Sequence, residues 1–221
     1  MRVSNKHNFI FLSNTRCASS SIDAVLQEYS AFGHEHCNDP MNAKMYCADE
    51  MKTYFDFMNE NHEETWEWND YYKFTTIRNP FTRWVSAYFF HAPDKDGAST
   101  FSKDYDASSK FGVGFNLWLE QVIENGTGLP NYDWFCLDHN TKECLVDKVI
   151  KVENIESEFP AFMKEQFDID IPSLPKLDFN MQRANKDSVV DSYSLYNKKG
   201  REIIEQVYES DISLFNYEFG Q

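Results

Sequence analysis

Phe9-Ile-Phe-Leu-Ser-Asn-Thr-Arg-Cys-Ala-Ser-Ser-Ser-Ile22 is the stretch on which the fold turns. Its first four residues form a continuous apolar run, as a strand buried on both faces requires. A loop of small and polar residues follows, Asn14 to Ser20. Beyond it Ile22, Val25, Leu26 and Tyr29 fall at i, i+3, i+4 and i+7, so a helix is expected to begin near Ser20 or Ser21. Strand, tight loop and helix together open an α/β nucleotide-binding fold.

The loop has the chemistry of an anion cradle. Small side chains at Ala18, Ser19, Ser20 and Ser21 let the backbone curl closely around a tetrahedral group. The N–H groups at a helix start point outward, and the helix dipole favours negative charge there. Serine hydroxyls would add donors, and Arg16 adds a fixed positive charge with a planar fork. The nucleoside-triphosphate loop is excluded, because G-x-x-x-x-G-K-[ST] needs two glycines and a lysine that this segment lacks. Taken alone, the segment reads equally well as a serine-rich helix cap.

A second segment, Lys73-Phe-Thr-Thr-Ile-Arg-Asn-Pro-Phe-Thr-Arg-Trp-Val-Ser-Ala-Tyr88, breaks that tie. Lys73–Ile77 reads as a strand, and Pro80 can start the helix that carries Trp84, Val85, Tyr88 and Phe89. Arg78 leaves the strand at its carboxyl end, where ligands gather in open α/β sheets. Ser86 follows about two turns into the helix. An arginine and a hydroxyl make a suitable clamp for a second phosphate. Arg83 has either a surface or a structural role.

The rest of the chain continues the alternation. Asp39-Pro40 is a helix start, with Met41, Met45, Ala48, Met51, Phe55 and Met58 along one face as core. The polar stretch 92–110 reads as a surface loop. Phe115–Ile123 is a helix stopped by Asn125-Gly126. Trp134–Leu137 and Leu145–Val152 read as strands around a polar turn, and Asn154 can cap a helix running to about Phe167. Pro172 and Pro175 break the chain, and a last long helix spans about Lys198 to Tyr208. The expected architecture is three-layered, a mostly parallel central sheet flanked by helices. No linker or repeat divides the 221 residues, and 42% hydrophobic content suffices for one core, so a single domain over 1–221 is expected.

Charge and cysteine usage limit the partners. A net charge of −15 repels nucleic acid and anionic membranes, and argues mildly against a highly sulfated glycan. Cys17, Cys37, Cys47, Cys136 and Cys144 show no C-x-x-C pair or zinc spacing, so reduced thiols and no metal are expected. A Cys136–Cys144 disulfide across a hairpin stays open. Phe9–Leu12 is far too short for a signal-peptide core or membrane span, and no later segment is long enough. A soluble cytoplasmic protein is the expectation.

The second segment resembles the 3′-phosphate motif of sulfotransferases that use 3′-phosphoadenosine 5′-phosphosulfate (PAPS), especially the carbohydrate-sulfotransferase branch. That motif is a hydrophobic strand followed by R-[ND]-P-x-x-R-x-x-S-x-Y, matched by Arg78, Asn79, Pro80, Arg83, Ser86 and Tyr88. Arg16-Cys-Ala-Ser-Ser-Ser-Ile22 is similar to the family's 5′-phosphosulfate loop, K-x-[GA]-[ST]-[ST]-S-[LF]. Val146–Asn154 is similar to its strand ending in Glu-Asn, and Tyr208–Phe219 to its closing Tyr-x-x-Asp…Phe-x-Tyr-x-Phe segment.

The resemblance implies a P-loop-NTPase-like sulfotransferase fold and transfer of a sulfuryl group from PAPS to a hydroxyl or amine, releasing 3′,5′-bisphosphoadenosine. The acceptor would be a small metabolite or glycan. It implies donor binding by Arg16, Cys17, Ala18, Ser19, Ser20, Ser21, Arg78 and Ser86, with Arg16 also catalytic. Arg16 stands where lysine is commoner, and arginine does not readily give up a proton to the leaving group. Relatives often place the base between the two phosphate motifs, and there His36 is the first choice and His34 the second, with His62 also in that interval. Lys198-Lys199-Gly200 is similar to a basic-glycine element of distant relatives but reads better as a helix start. A nucleotide-dependent kinase and a non-catalytic nucleotide-binding module are the rival readings.

Overall fold

The computed structural model describes residues 1–30, 47–60, 66–91, 114–175 and 191–220. The chain forms two compact units, Met1–Arg78 with Pro130–Leu177, and Asn79–Leu129 with Asp178–Gln221.

The first unit is built on a four-stranded mixed sheet in the order β1 (Arg2–Ser4), β2 (Phe9–Leu12), β3 (Tyr72–Ile77), β4 (Lys148–Lys151). β2, β3 and β4 are parallel, with Phe11 opposite Phe74 and Thr75 opposite Val149. β1 is antiparallel to β2, with Val3 opposite Ile10. All four residues of β2 are fully buried, and alternate side chains serve opposite faces. Phe9 and Phe11 pack with Phe74 and Ile150 against Ile22 and Leu26 of α1 (Ser19–Leu26) and Phe159 and Met163 of α6 (Ile155–Phe167). Ile10 and Leu12 pack with Val3 against Met51 and Phe55 of α2 (Ala48–Glu60) and Phe135 of α5 (Tyr132–Cys136). The expected α/β architecture, a largely parallel sheet flanked by helices, is thus present.

Two local readings need correction. Trp134–Leu137 is not a strand, because Tyr132–Cys136 is helical and only Leu137 and Cys144 form an isolated bridge. The Asn131 side chain accepts the Trp134 N–H at 2.9 Å and so starts a helical turn that the aromatic composition conceals. Asn154 does precede α6 but does not cap it, since its amide is turned to Glu158 at 2.9 Å. Cys136 and Cys144 are thiols, so the disulfide is absent; Cys17 and Cys47 are thiols as well. Cys37, the Asp39-Pro40 helix start, Met41 and Met45 lie outside the described residues.

The second unit is helical. It contains α3 (Pro80–His91), α4 (Phe115–Glu124), α7 (Lys198–Val207) and α8 (Glu209–Phe215). Trp84 meets Trp118 and Tyr208 edge-on, and Phe219 packs edge-on against Phe81 and Tyr196. The Tyr208 hydroxyl bonds the Leu129 carbonyl, and Asp211 and Tyr217 are buried, so the closing segment is structural here. Burial pushes the Tyr196 phenol up, and its hydroxyl donates to the Phe81 carbonyl at 2.8 Å.

Gly200 explains why the Lys-Lys-Gly element starts a helix. Asn197 caps α7 by accepting the Gly200 N–H at 2.8 Å. A Cβ on Gly200 would lie 2.2 Å from the Asn116 Oδ1. Asn116 cannot easily yield, because it accepts from the Asn197 N–H and donates to the Leu195 carbonyl. Lys198 and Lys199 are tied to Glu202 and Glu120 respectively. The two lysines therefore belong to the surface of the helix start.

Candidate functional site

The loop between β2 and α1 is held by hydrogen bonds to its own backbone and to β3. Asn14 is buried, its carbonyl accepts the Cys17 N–H at 3.3 Å and the Ser19 hydroxyl at 2.5 Å, and its amide donates to the Thr76 carbonyl at 3.2 Å. Arg16 and Ala18 both take left-handed backbone conformations, with φ of 62° and 60°. Each non-glycine residue there costs on the order of 1–2 kcal/mol. The side-chain bonds around the loop stabilise that shape against the strain.

The loop leaves three donors unspent. Among the described residues the N–H groups of Ala18, Ser19 and Ser20 make no hydrogen bond, although Ser21 and Ile22 already donate to the Ala18 carbonyl. These three amides head α1, where the helix dipole also favours an anion. Arg16, half-buried, leads into them. The cradle fits a phosphate or sulfate group.

The serines divide by role. The Ser19 proton is committed to the Asn14 carbonyl, so Ser19 offers its amide rather than a hydroxyl donor. Ser20 is exposed and Ser21 half-buried. The Cys17 side chain is fully buried, with its thiol on the Thr15 carbonyl at 3.5 Å, so only its backbone can face a ligand.

Arg78 follows β3 directly. Since β2 and β3 are parallel neighbours, Arg78 and the Arg16 loop lie beyond the carboxyl ends of adjoining strands. In the second unit Asn79 begins α3 by accepting the Phe81 N–H at 3.0 Å, while its amide holds the Glu218 carbonyl at 3.2 Å. Pro80 takes the first helical position, where its missing N–H costs nothing. Ser86 is buried two turns further on, and Arg83 is almost completely enclosed, which settles its position as interior rather than surface.

An open cleft of about 390 Å³ lies at the other end of the strands, lined in part by His7, Asn8, Tyr72 and Lys73. Lys73 is held there by Asp147 at 3.1 Å. This is the amino end of β3, away from the loop. His34, His36, His62 and residues 92–110 lie outside the described residues. No group of side chains suited to a metal ion occurs among the described residues, and no described helix is long and apolar enough to cross a membrane.

Sequence reading did not find Asn14, Thr76 or the partner of α1. The signal for Thr76 was a hydroxyl in an otherwise apolar strand end. Asp23 of α1 is buried and forms a two-pronged ion pair with Arg2 of β1 at 2.6 and 2.7 Å. Its one sequence clue is its place one residue from the apolar stripe.

The chain belongs to the sulfotransferase family, whose model matches residues 1–218. No curated protein and no solved structure matches it at a significant level. Because the match runs nearly end to end, the Arg16 loop, the Arg-Asn-Pro segment and the closing segment all fall inside it.

Proposed function

We propose that the protein transfers a sulfuryl group from PAPS to an acceptor hydroxyl or amine on a small metabolite or glycan. The observation that carries this reading is the set of three unspent amides at Ala18, Ser19 and Ser20 beside Arg16, in a chain of sulfotransferase family. The carbohydrate-sulfotransferase branch is the one its Arg-Asn-Pro segment favours.

When bound, the donor supplies an activated sulfuryl group, whose bond to the phosphate oxygen breaks as the acceptor atom bonds to sulfur. Arg16 and the loop amides stabilise the negative charge left on the phosphate oxygen. Arginine keeps its proton, so this help is electrostatic and the leaving phosphate departs as an anion. Ser20 and Ser21 extend the cradle, and the Cys17 peptide closes its floor. Arg78 takes the 3′-phosphate, which sets this donor apart from ATP. His36 takes the acceptor proton, with His34 second in line.

Labelled-donor transfer across an acceptor panel, run from pH 5 to 9, tests the whole reading. Labelled product is expected, with turnover rising as the histidine base loses its proton within that range. His36→Ala should lack that rise; an unchanged profile removes His36 from the mechanism. Bisphosphoadenosine binding with no product over a broad panel would favour a non-catalytic module instead.

A further inference from the structure

Thr76 ties the donor loop to the sheet at two points. It is fully buried in β3, where a valine or isoleucine is the ordinary choice. A buried hydroxyl is costly unless it is used, and this one donates to the Cys17 carbonyl at 2.5 Å. The carbonyl of the same residue accepts the Asn14 amide, so Thr76 grips both flanks of the turn.

The grip has a directional consequence. Cys17 lies between the two left-handed residues, Arg16 and Ala18, and every described peptide bond is trans. Across a trans peptide the carbonyl and the following N–H point in opposite directions. Holding the Cys17 carbonyl on Thr76 therefore turns the Ala18 N–H away from β3. A flip of that one peptide would exchange the two, presenting a carbonyl oxygen where an anion needs a donor.

We infer that Thr76 is a positioning residue for the donor: its hydroxyl fixes the 17–18 peptide so that the Ala18 amide faces the 5′-phosphosulfate. This rests on the reading of the loop as the PAPS site. Thr76 touches no reacting atom and acts through Cys17.

Thr76→Val keeps the shape and strand preference of the side chain but removes the donor; Thr76→Ser keeps the donor. Calorimetry on the full chain compares 3′,5′-bisphosphoadenosine with adenosine 3′-monophosphate, which lacks the 5′ group. T76V should weaken bisphosphoadenosine binding about tenfold, the scale of one misdirected hydrogen bond to an anion. Its affinity for the 3′-monophosphate should be unchanged, and T76S should stay within about threefold of the parent on the same scale. Equal losses for both ligands, no loss for either, or a T76S as poor as T76V would overturn the role. Thr76→Ala offers a second hydroxyl-free chain; if neither hydroxyl-free variant folds while T76S does, Thr76 is structural and the inference falls. Failure of the parent chain to bind bisphosphoadenosine overturns the donor assignment and this role with it, whereas failure confined to the variants leaves the donor assignment standing.

Discussion

Arg16→Ala is expected to lower sulfuryl-transfer turnover on the order of a hundredfold or more, because a preorganised donor at a developing oxyanion is typically worth that much. The loss should appear in turnover more than in donor affinity, since charge on the leaving phosphate grows only as its bond to sulfur breaks. The backbone at residue 16 is left-handed, and alanine carries the same steric cost there as arginine. The substitution thus removes the guanidinium without easing the loop. Arg16→Lys returns a positive charge at the same place and adds a proton that can be given up. It should recover most of the turnover. Steady-state kinetics at saturating donor separates the cases, and near-parental turnover in Arg16→Ala would remove Arg16 from catalysis.

Asp23→Ala should be the most destabilising single change named here, at about 3–5 kcal/mol. Arg2 and Asp23 are 5% and 7% exposed, so loss of the carboxylate leaves a guanidinium in the interior without its two-pronged partner. The pair joins β1 to α1. Replacing both residues with apolar ones of similar volume, Arg2→Met with Asp23→Leu, should recover most of the loss, because no uncompensated charge remains. Urea unfolding of the parent, both singles and the double variant measures this. A single-variant loss below about 1 kcal/mol would place the pair among the weak surface bridges instead. Donor affinity in the double variant then reports whether the pair does more than hold the helix.

The parts of the fold that local pattern controls were legible in the residues. Phe9–Leu12 is a strand because four consecutive apolar side chains can be buried only on two faces, and both faces are filled. The helices after Ala18 and Asn79 start where small, capping and Pro residues require, and Gly126 ends α4 with φ of 67°. β1 was not visible, because three residues including an arginine and a serine carry no strand period. It exists through pairing with β2, after a turn that ends on left-handed Asn8. Trp134–Leu137 misled for the opposite reason, since aromatic content suggested a strand where a cap decided for a helix. The short α8 was covered by resemblance alone, without a helical reading of its own.

The site divides along the same line. Arg16, the serines and Arg78 stand out because their chemistry and spacing are local. Thr76 and Asn14 acquire their roles only when β2 and β3 align in parallel, which brings residues 62 positions apart into hydrogen-bond contact. Ser19 shows how tertiary contacts redirect a side chain. It belongs to the loop as expected, yet its hydroxyl proton serves Asn14 and only its amide remains for an anion.

Calorimetric titration of the parent chain with 3′,5′-bisphosphoadenosine, against magnesium ATP under the same conditions, bears most directly on the proposed donor. Binding of bisphosphoadenosine at one site per chain, at least about tenfold tighter than ATP, is the predicted result, since on the proposed reading only the former carries the 3′-phosphate that Arg78 takes. Tighter binding of magnesium ATP, or no heat with bisphosphoadenosine, would contradict the assignment and favour a kinase or an unrelated anion site.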